Sequence, residues 1–227
     1  MQNIEKNLSQ IHRQIEQAAS ACERDAGEIS LLAVSKKKPA DDIRNAYACG
    51  QRDFGENYLQ EAEEKIQALA DLDISWHFIG PIQSNKTRLL AQDFDWVHCV
   101  DRLKVARRLS EQRPDSKSPL NICIQVNVDQ EQSKSGIGLD DIPELATQIA
   151  ALPNIRLRGL MTIPAQRNDF ESQRIPFARL RIALEQLNQR GFDCDTLSMG
   201  MTHDMAAAIA EGATLVRIGT AIFGERA

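Results

Sequence analysis

The sequence predicts an α/β protein, a single (β/α)8 TIM barrel over residues 1–227 with an extra N-terminal helix. Three observations predict it. Eight short apolar runs alternate with longer stretches of helical periodicity. The runs are apolar at successive positions, as strands buried on both faces of a parallel sheet are. The 227 residues suit one barrel, and no linker, low-complexity segment or shift in composition marks a second domain. An open doubly wound sheet is the runner-up, but no G-x-G-x-x-G follows the first strand.

The elements follow in order. Ile4, Leu8, Ile11, Ile15, Ala18 and Ala19 recur every three or four positions, one face of an amphipathic helix running to about Arg24. ISLLAVS is the first strand, followed by a helix over Ala40 to Ala48. DFGEN leads to a helix from about Leu59 to Ala70, and SWHFIG to one near Asn85 to Ala91. DWVHCV precedes a helix near Leu103 to Ser110, and NICIQVNV one near Ile142 to Ala151. RLRGLMTI precedes a long helix near Ser172 to Gln189, DTLSMG one near Met205 to Glu211, and TLVRIG is the last strand. Seven of the eight strands are thus followed by a helix. Pro114 to Pro119 and Ala165 to Asp169 read as surface loops.

Composition excludes several classes. An apolar fraction of 42% with 26% charged residues argues against disorder and against a fibrous architecture. A net charge of −5 gives no basic footprint for nucleic acid, although a local basic pocket for a small anion is compatible with it. No apolar run reaches the ~20 residues that cross a bilayer, and the start MQNIEKNLSQ lacks the apolar centre of a signal peptide. A cytoplasmic protein is expected. Cys22, Cys49, Cys99, Cys123 and Cys194 are widely spaced, odd in number and without a C-x-x-C pair, so they read as buried free thiols. His12, His98 and His203 show no metal-ligand spacing, and no metal is expected.

In a barrel, chemistry sits at the carboxyl ends of the strands. That singles out Lys36 to Lys38, Glu56 and Asn57, His77 and Gln83, Asn127, Met161, Ser198 to Thr202, and Arg217 to Thr220. With a period of two, Leu32, Val34, Lys36 and, if the strand stays extended, Lys38 share one side. If that side is the interior, neighbouring positive charge and desolvation favour the neutral amine that attacks a carbonyl. The competing reading is a solvated Lys-Lys-Lys run before a proline. Near the other end of the chain, helix-start amides after GMTHDM, the hydroxyls of Thr202 and Thr220, and the bare backbone of Gly219 could cradle a phosphate. Thr202 as a helix N-cap and Gly219 as a turn residue stand equally open. His77 reads first as a core or rim histidine.

LLAVSKKKP, FGENYLQE, WHFIGPIQSNK, QVNVDQEQSKSG, RGLMTIP, LSMGMTHDM and VRIGTAIFG occur in this order. Together, from about Ile29 to Gly224, they resemble the pyridoxal-phosphate homeostasis proteins, the proline-synthetase-co-transcribed family, whose fold is similar to the N-terminal barrel of alanine racemases. The resemblance implies pyridoxal 5′-phosphate as cofactor, held as a Schiff base on Lys36. It implies a phosphate cradle of Thr202, Thr220 and the backbone of Met201 and Gly219, with Ser198 adding a hydroxyl. Arg217 would face the pyridine nitrogen, and Asn57, His77 and Met161 would line the ring pocket. The chain departs from the usual pattern at Lys37, normally small and polar, which could raise anion affinity, and at Thr202, normally serine.

The expected role is vitamin B6 homeostasis, as a carrier that buffers the cofactor and passes it to apo-enzymes, with no residue assigned a catalytic role. Racemisation needs a second base on the opposite face of the substrate carbon, which racemases take from a separate domain. This chain stops just after its last strand and offers only Tyr47 and Tyr58. An arginine at the pyridine nitrogen is a poor proton donor and blunts the ring as an electron sink. The alternatives are a low-activity amino-acid racemase and a sugar-phosphate barrel without cofactor. A monomer is expected, with neither membrane nor nucleic acid as partner. Lys38 and Lys134 are candidate secondary attachment points.

Overall fold

In the computed structural model, which describes residues 4–225, eight parallel strands close into a barrel in sequence order. They are β1 (Ser30–Val34), β2 (Asp53–Glu56), β3 (Ser75–Phe78), β4 (Trp96–Val100), β5 (Leu120–Gln125), β6 (Ile155–Met161), β7 (Thr196–Ser198) and β8 (Leu215–Ile218). The helices are α1 (Ile4–Ala21), α2 (Ala40–Ala48), α3 (Leu59–Ala68), α4 (Thr87–Asp93), α5 (Leu103–Gln112), α6 (Ile142–Ala150), α7 (Phe170–Gln189), α8 (Met205–Ala210) and α9 (Thr220–Phe223).

Six strands fall inside their apolar runs, β5 and β6 each start one residue before theirs, at Leu120 and Ile155, and the other differences are at helix ends. α7 starts at Phe170 rather than Ser172, because the Asp169 side chain accepts from the Ser172 amide and caps the helix. α4 begins later than expected because Ser84–Lys86 forms a separate 3₁₀ turn. The eighth strand also has its helix, α9, so all eight are followed by one. Four residues are too few to show a helical period.

The barrel closes where Ser30 to Ala33 of β1 pair with Leu215 to Ile218 of β8. α1 lies over that seam, packed on α2, α8 and α9. Its stripe of Ile4, Leu8, Ile11, Ile15 and Ala19 is buried, each large aliphatic side chain contributing about 1.5–3 kcal/mol. Arg24 then ties it down, donating to the carbonyls of Ile209 and Ala213 at 2.8 and 2.9 Å.

Between the sheet and the helices the core is apolar, aliphatic with buried Phe54, Phe94, Phe177 and Phe223, but the barrel interior is partly polar. His77, His98, Ser198 and Arg217 are all buried. Cys99, Cys123 and Cys194 are buried as expected. Cys22 is half-buried and Cys49 is exposed, because Cys49 closes α2 at its outer end. Among the described residues no helix is long and apolar enough to cross a membrane.

Candidate functional site

A cavity of about 490 Å³ opens at the carboxyl ends of the strands. Of the residues expected there, Lys36, Asn57, Met201, Thr202, Arg217, Gly219 and Thr220 line it, and His77, Met161 and Ser198 do not.

Lys36 stands in the turn that follows β1. The extended geometry stops at Val34, and Lys38 N–H closes the turn on the Ser35 carbonyl at 3.0 Å. Lys37 takes the left-handed conformation, φ 60°, and is exposed, while Lys36 and Lys38 face the cavity. Lys37 therefore adds no charge to the cavity wall. The Lys38 ammonium donates to the Glu225 carbonyl at 2.7 Å. Below the turn, buried Lys65 donates to the Ser35 carbonyl at 2.7 Å, to Glu56 Oε1 at 2.7 Å and to Glu61 Oε1 at 2.6 Å. Ser35 Oγ donates to Glu56 Oε1 at 2.6 Å. Burial pushes the Glu56 carboxyl up, against the pull of Lys65.

Arg217 forms the floor. It is buried, its Nη1 donating to Ser198 Oγ at 2.9 Å and its Nη2 to the Thr162 carbonyl at 2.8 Å. Burial pulls its pKa down to about 10, opposed by the charge of Asp204. It is still a cation at neutral pH, and its direction is fixed by two acceptors.

The opposite wall comes from the segments after β7 and β8. Gly200 makes the first turn with φ +94°, and a Cβ there would meet the Ala208 Cβ at 2.6 Å, so the chain can press onto α8 only as glycine. Thr202 and Thr220 are exposed within the cavity wall. Thr202 is not a helix cap, since α8 starts after Asp204. The Met201 amide, expected to face an anion, donates instead to Asp204 Oδ1 at 2.6 Å, because the carboxylate three residues on folds back over the turn. Gly219 brings β8 against β1: a Cβ would stand 3.1 Å from the Val34 carbonyl.

The other expected residues have different surroundings. Ser198 Oγ sits below the floor, between Arg217 and His98. His77 lies deeper, stacked on Trp96 with centroids 5.4 Å apart, and Met161 is buried at the end of β6. Asn127 holds its own loop through the Glu131 carbonyl and amide. Tyr58 and Gln83 line a neighbouring cavity, and Asn57 borders both. Lys134 pairs with Glu131 and donates to the Ile163 carbonyl at the rim. Sequence reasoning missed His203 and the walls Ile79 and Ile163, and it missed Asp53 and His98 beneath the site. A signal existed: Ser75/His77 and Thr196/Ser198 are polar with a period of two, and His98 interrupts an otherwise apolar strand.

The site can accept a small anion with a reactive carbonyl. It combines an amine, a fixed guanidinium and two hydroxyls, and the buried Asn57 Oδ1 at its edge has no hydrogen-bond partner among the described residues.

Comparison with known proteins agrees with this. Residues 6–227 match the family model for the alanine racemase N-terminal domain. The chain is 58% identical over 226 residues to the pyridoxal phosphate homeostasis protein of Pseudomonas aeruginosa, covering 100% of this chain and 97% of that one. It is 52% identical over 229 residues to the protein of the same name from Escherichia coli, covering 100% and 98%. Among solved structures, PipY of Synechococcus elongatus with PLP bound superposes with a TM-score of 0.81 at 38% identity, covering 92% of this chain and 99% of that one.

Proposed function

The chain belongs to the pyridoxal phosphate homeostasis protein family, built on a barrel of the alanine racemase N-terminal type, and from that premise we propose that it binds pyridoxal 5′-phosphate between Lys36 and Arg217 and buffers it in the cytoplasm. One observation carries the reading: an amine, a buried guanidinium and two hydroxyls line a single cavity of about 490 Å³. When bound, the cofactor supplies an aldehyde that condenses with amines and a ring that can draw electrons from them.

The residues divide that work. Lys36 is the anchoring amine, and the Lys65, Glu56 and Ser35 cluster holds its turn in place. Thr202 and Thr220 would hold the phosphate, with the bare backbone of Gly219 allowing close approach. Asn57 borders the ring. Arg217 would face the ring nitrogen as a donor that does not give up its proton, which would leave that nitrogen unprotonated and the ring a weak electron sink. Ser198 and His77 act through Arg217 rather than on the cofactor.

That electronic setting favours holding over turnover. Handing the cofactor to apo-enzymes is the role we assign, and Tyr58, the tyrosine nearest the site in sequence, lines the neighbouring cavity and gives no support to a second-base mechanism. The test is an absorbance titration of purified protein with pyridoxal phosphate, on wild type and Lys36→Ala. A visible band in wild type and none in the variant is expected. No band with excess cofactor would sink the reading, and amino-acid turnover at ordinary enzymatic rates would replace carrier with enzyme.

A further inference from the structure

Below the cavity the barrel interior holds a line of polar side chains. Arg217 Nη1 donates to Ser198 Oγ at 2.9 Å, and Ser198 Oγ lies 2.8 Å from His98 Nδ1. His98 Nε2 lies 2.9 Å from His77 Nδ1, and His77 Nε2 lies 3.1 Å from Asp53 Oδ1. The four groups from Arg217 to His77 are buried. Asp53, the first residue of β2, is partly open to solvent at the amino-terminal mouth, with its side chain 37% exposed. The line therefore runs from one mouth of the barrel to the other.

Its two ends set every proton. A guanidinium only donates and an ionised carboxylate only accepts. Ser198 Oγ accepts from Arg217 and gives its own proton to His98 Nδ1. His98 then carries hydrogen on Nε2 and donates to His77 Nδ1, and His77 carries hydrogen on Nε2, facing Asp53 Oδ1 at 3.1 Å and the Ser75 hydroxyl at 3.0 Å. The reverse polarity would set a His77 lone pair against the carboxylate and leave the Ser198 proton without an acceptor.

We propose that Asp53, His77, His98 and Ser198 form a polarised relay that positions Arg217 and carries the charge state of Asp53 across the barrel to the cavity. The ionisable surroundings are compatible with it. Arg217 is faced by Asp204 after β7 and by the thiols of Cys99 and Cys123 on β4 and β5, with Lys36 and Lys38 across the cavity. His98 is faced by His77 and Arg217, and burial, helped by the Arg217 charge, pushes its pKa far down, so it is neutral. Burial raises the Asp53 pKa, but the hydrogen bonds from His77 and Ser75 act against it, and the carboxyl stays below its ordinary value.

The first readout needs no cofactor. In ¹⁵N-labelled protein at neutral pH, long-range imidazole spectra should show both His77 and His98 as the Nε2–H tautomer. Asp53→Asn keeps the volume and removes the charge. It should shift the ring nitrogens of His98 and the side-chain N–H signals of Arg217, neither of which Asp53 is hydrogen-bonded to, and Asp53→Glu should restore them. Asp71→Asn, which breaks a surface pair with Arg44, controls for net charge and should move neither. An Nδ1–H tautomer at His98, or a change confined to His77, overturns the relay. The second readout rests on the cofactor reading: Asp53→Asn should move the pH midpoint of the visible band by about half a unit or more, and an unmoved midpoint overturns transmission to the cavity. If wild type binds no cofactor, the function proposed above fails while the spectra of the free protein still decide the relay.

Discussion

Gly80 lies so close to the backbone of Asn57 that a Cβ on it would stand 2.0 Å from the Asn57 carbonyl oxygen. That contact sets where the chain leaves β2 and therefore where Asn57 meets the cavity. Neither partner can yield, since both are main chain. Gly80→Ala should lower stability by about 1–3 kcal/mol and weaken pyridoxal phosphate binding, read by urea unfolding and by absorbance titration. An unchanged affinity would remove Asn57 from the site.

Lys65 holds the Ser35 carbonyl and neutralises a fully buried Glu56. Lys65→Met leaves that carboxylate uncompensated and should cost about 3–5 kcal/mol in denaturant unfolding. Adding Glu56→Gln removes the stranded charge, so the double variant should be more stable than Lys65→Met alone. Additive losses would show that the two side chains do not act as a pair.

The buried histidine gives stability an acid limit. The folded-state pKa of His98 is depressed, whereas the unfolded chain takes up that proton at about pH 6.5. The contribution is therefore complete above about pH 6.5 and is lost as pH falls below it, by at most about 1.4 kcal/mol per pH unit for one proton. Asp53, also depressed, acts in the same direction but only below its unfolded value of about 3.9. Urea midpoints measured from neutral pH to about pH 5 should fall in wild type and flatten in His98→Gln.

Thr202→Ala and Thr220→Ala test the phosphate end alone. A hydrogen bond to a charged group is worth about 1.5–3 kcal/mol, so each change should weaken pyridoxal phosphate binding about tenfold to a hundredfold. Pyridoxal without the phosphate should bind wild type and variants equally. Loss for both ligands would place the phosphate elsewhere.

The parts of this fold that were legible in the sequence were those with a repeating local signal. The α1 stripe from Ile4 to Ala19 carried a helical period, the eight apolar runs were continuous and regularly interleaved with helical stretches, and each became the expected element. α9 escaped because a single helical turn has no period to read. Lys36 was a candidate because a cation ending an apolar strand is conspicuous, and it lines the cavity. The turn that returns Lys38 to the cavity and throws Lys37 out was not legible, since it depends on the left-handed Lys37 and on bonds to Glu225 and Glu61 distant in sequence. The path from Asp53 to Arg217 was invisible for the same reason: its members come from five strands, and only closure of the barrel lines them up.

The seam between β1 and β8 gives this architecture an order of assembly. β1 hydrogen-bonds to a strand some 180 residues later in the chain, so during synthesis the ring stays open until its last strand leaves the ribosome. Until then one edge of β1 offers bare amides and carbonyls, and the apolar stripe of α1 has neither α8 nor α9 to lie on. Such long-range pairing is slow and exposes edges that invite aggregation. The nascent chain must keep its first two elements soluble longest, and the polar face of α1, with Glu5, Lys6, Gln10, Arg13 and Glu16 exposed or half-exposed, is what it has to do so.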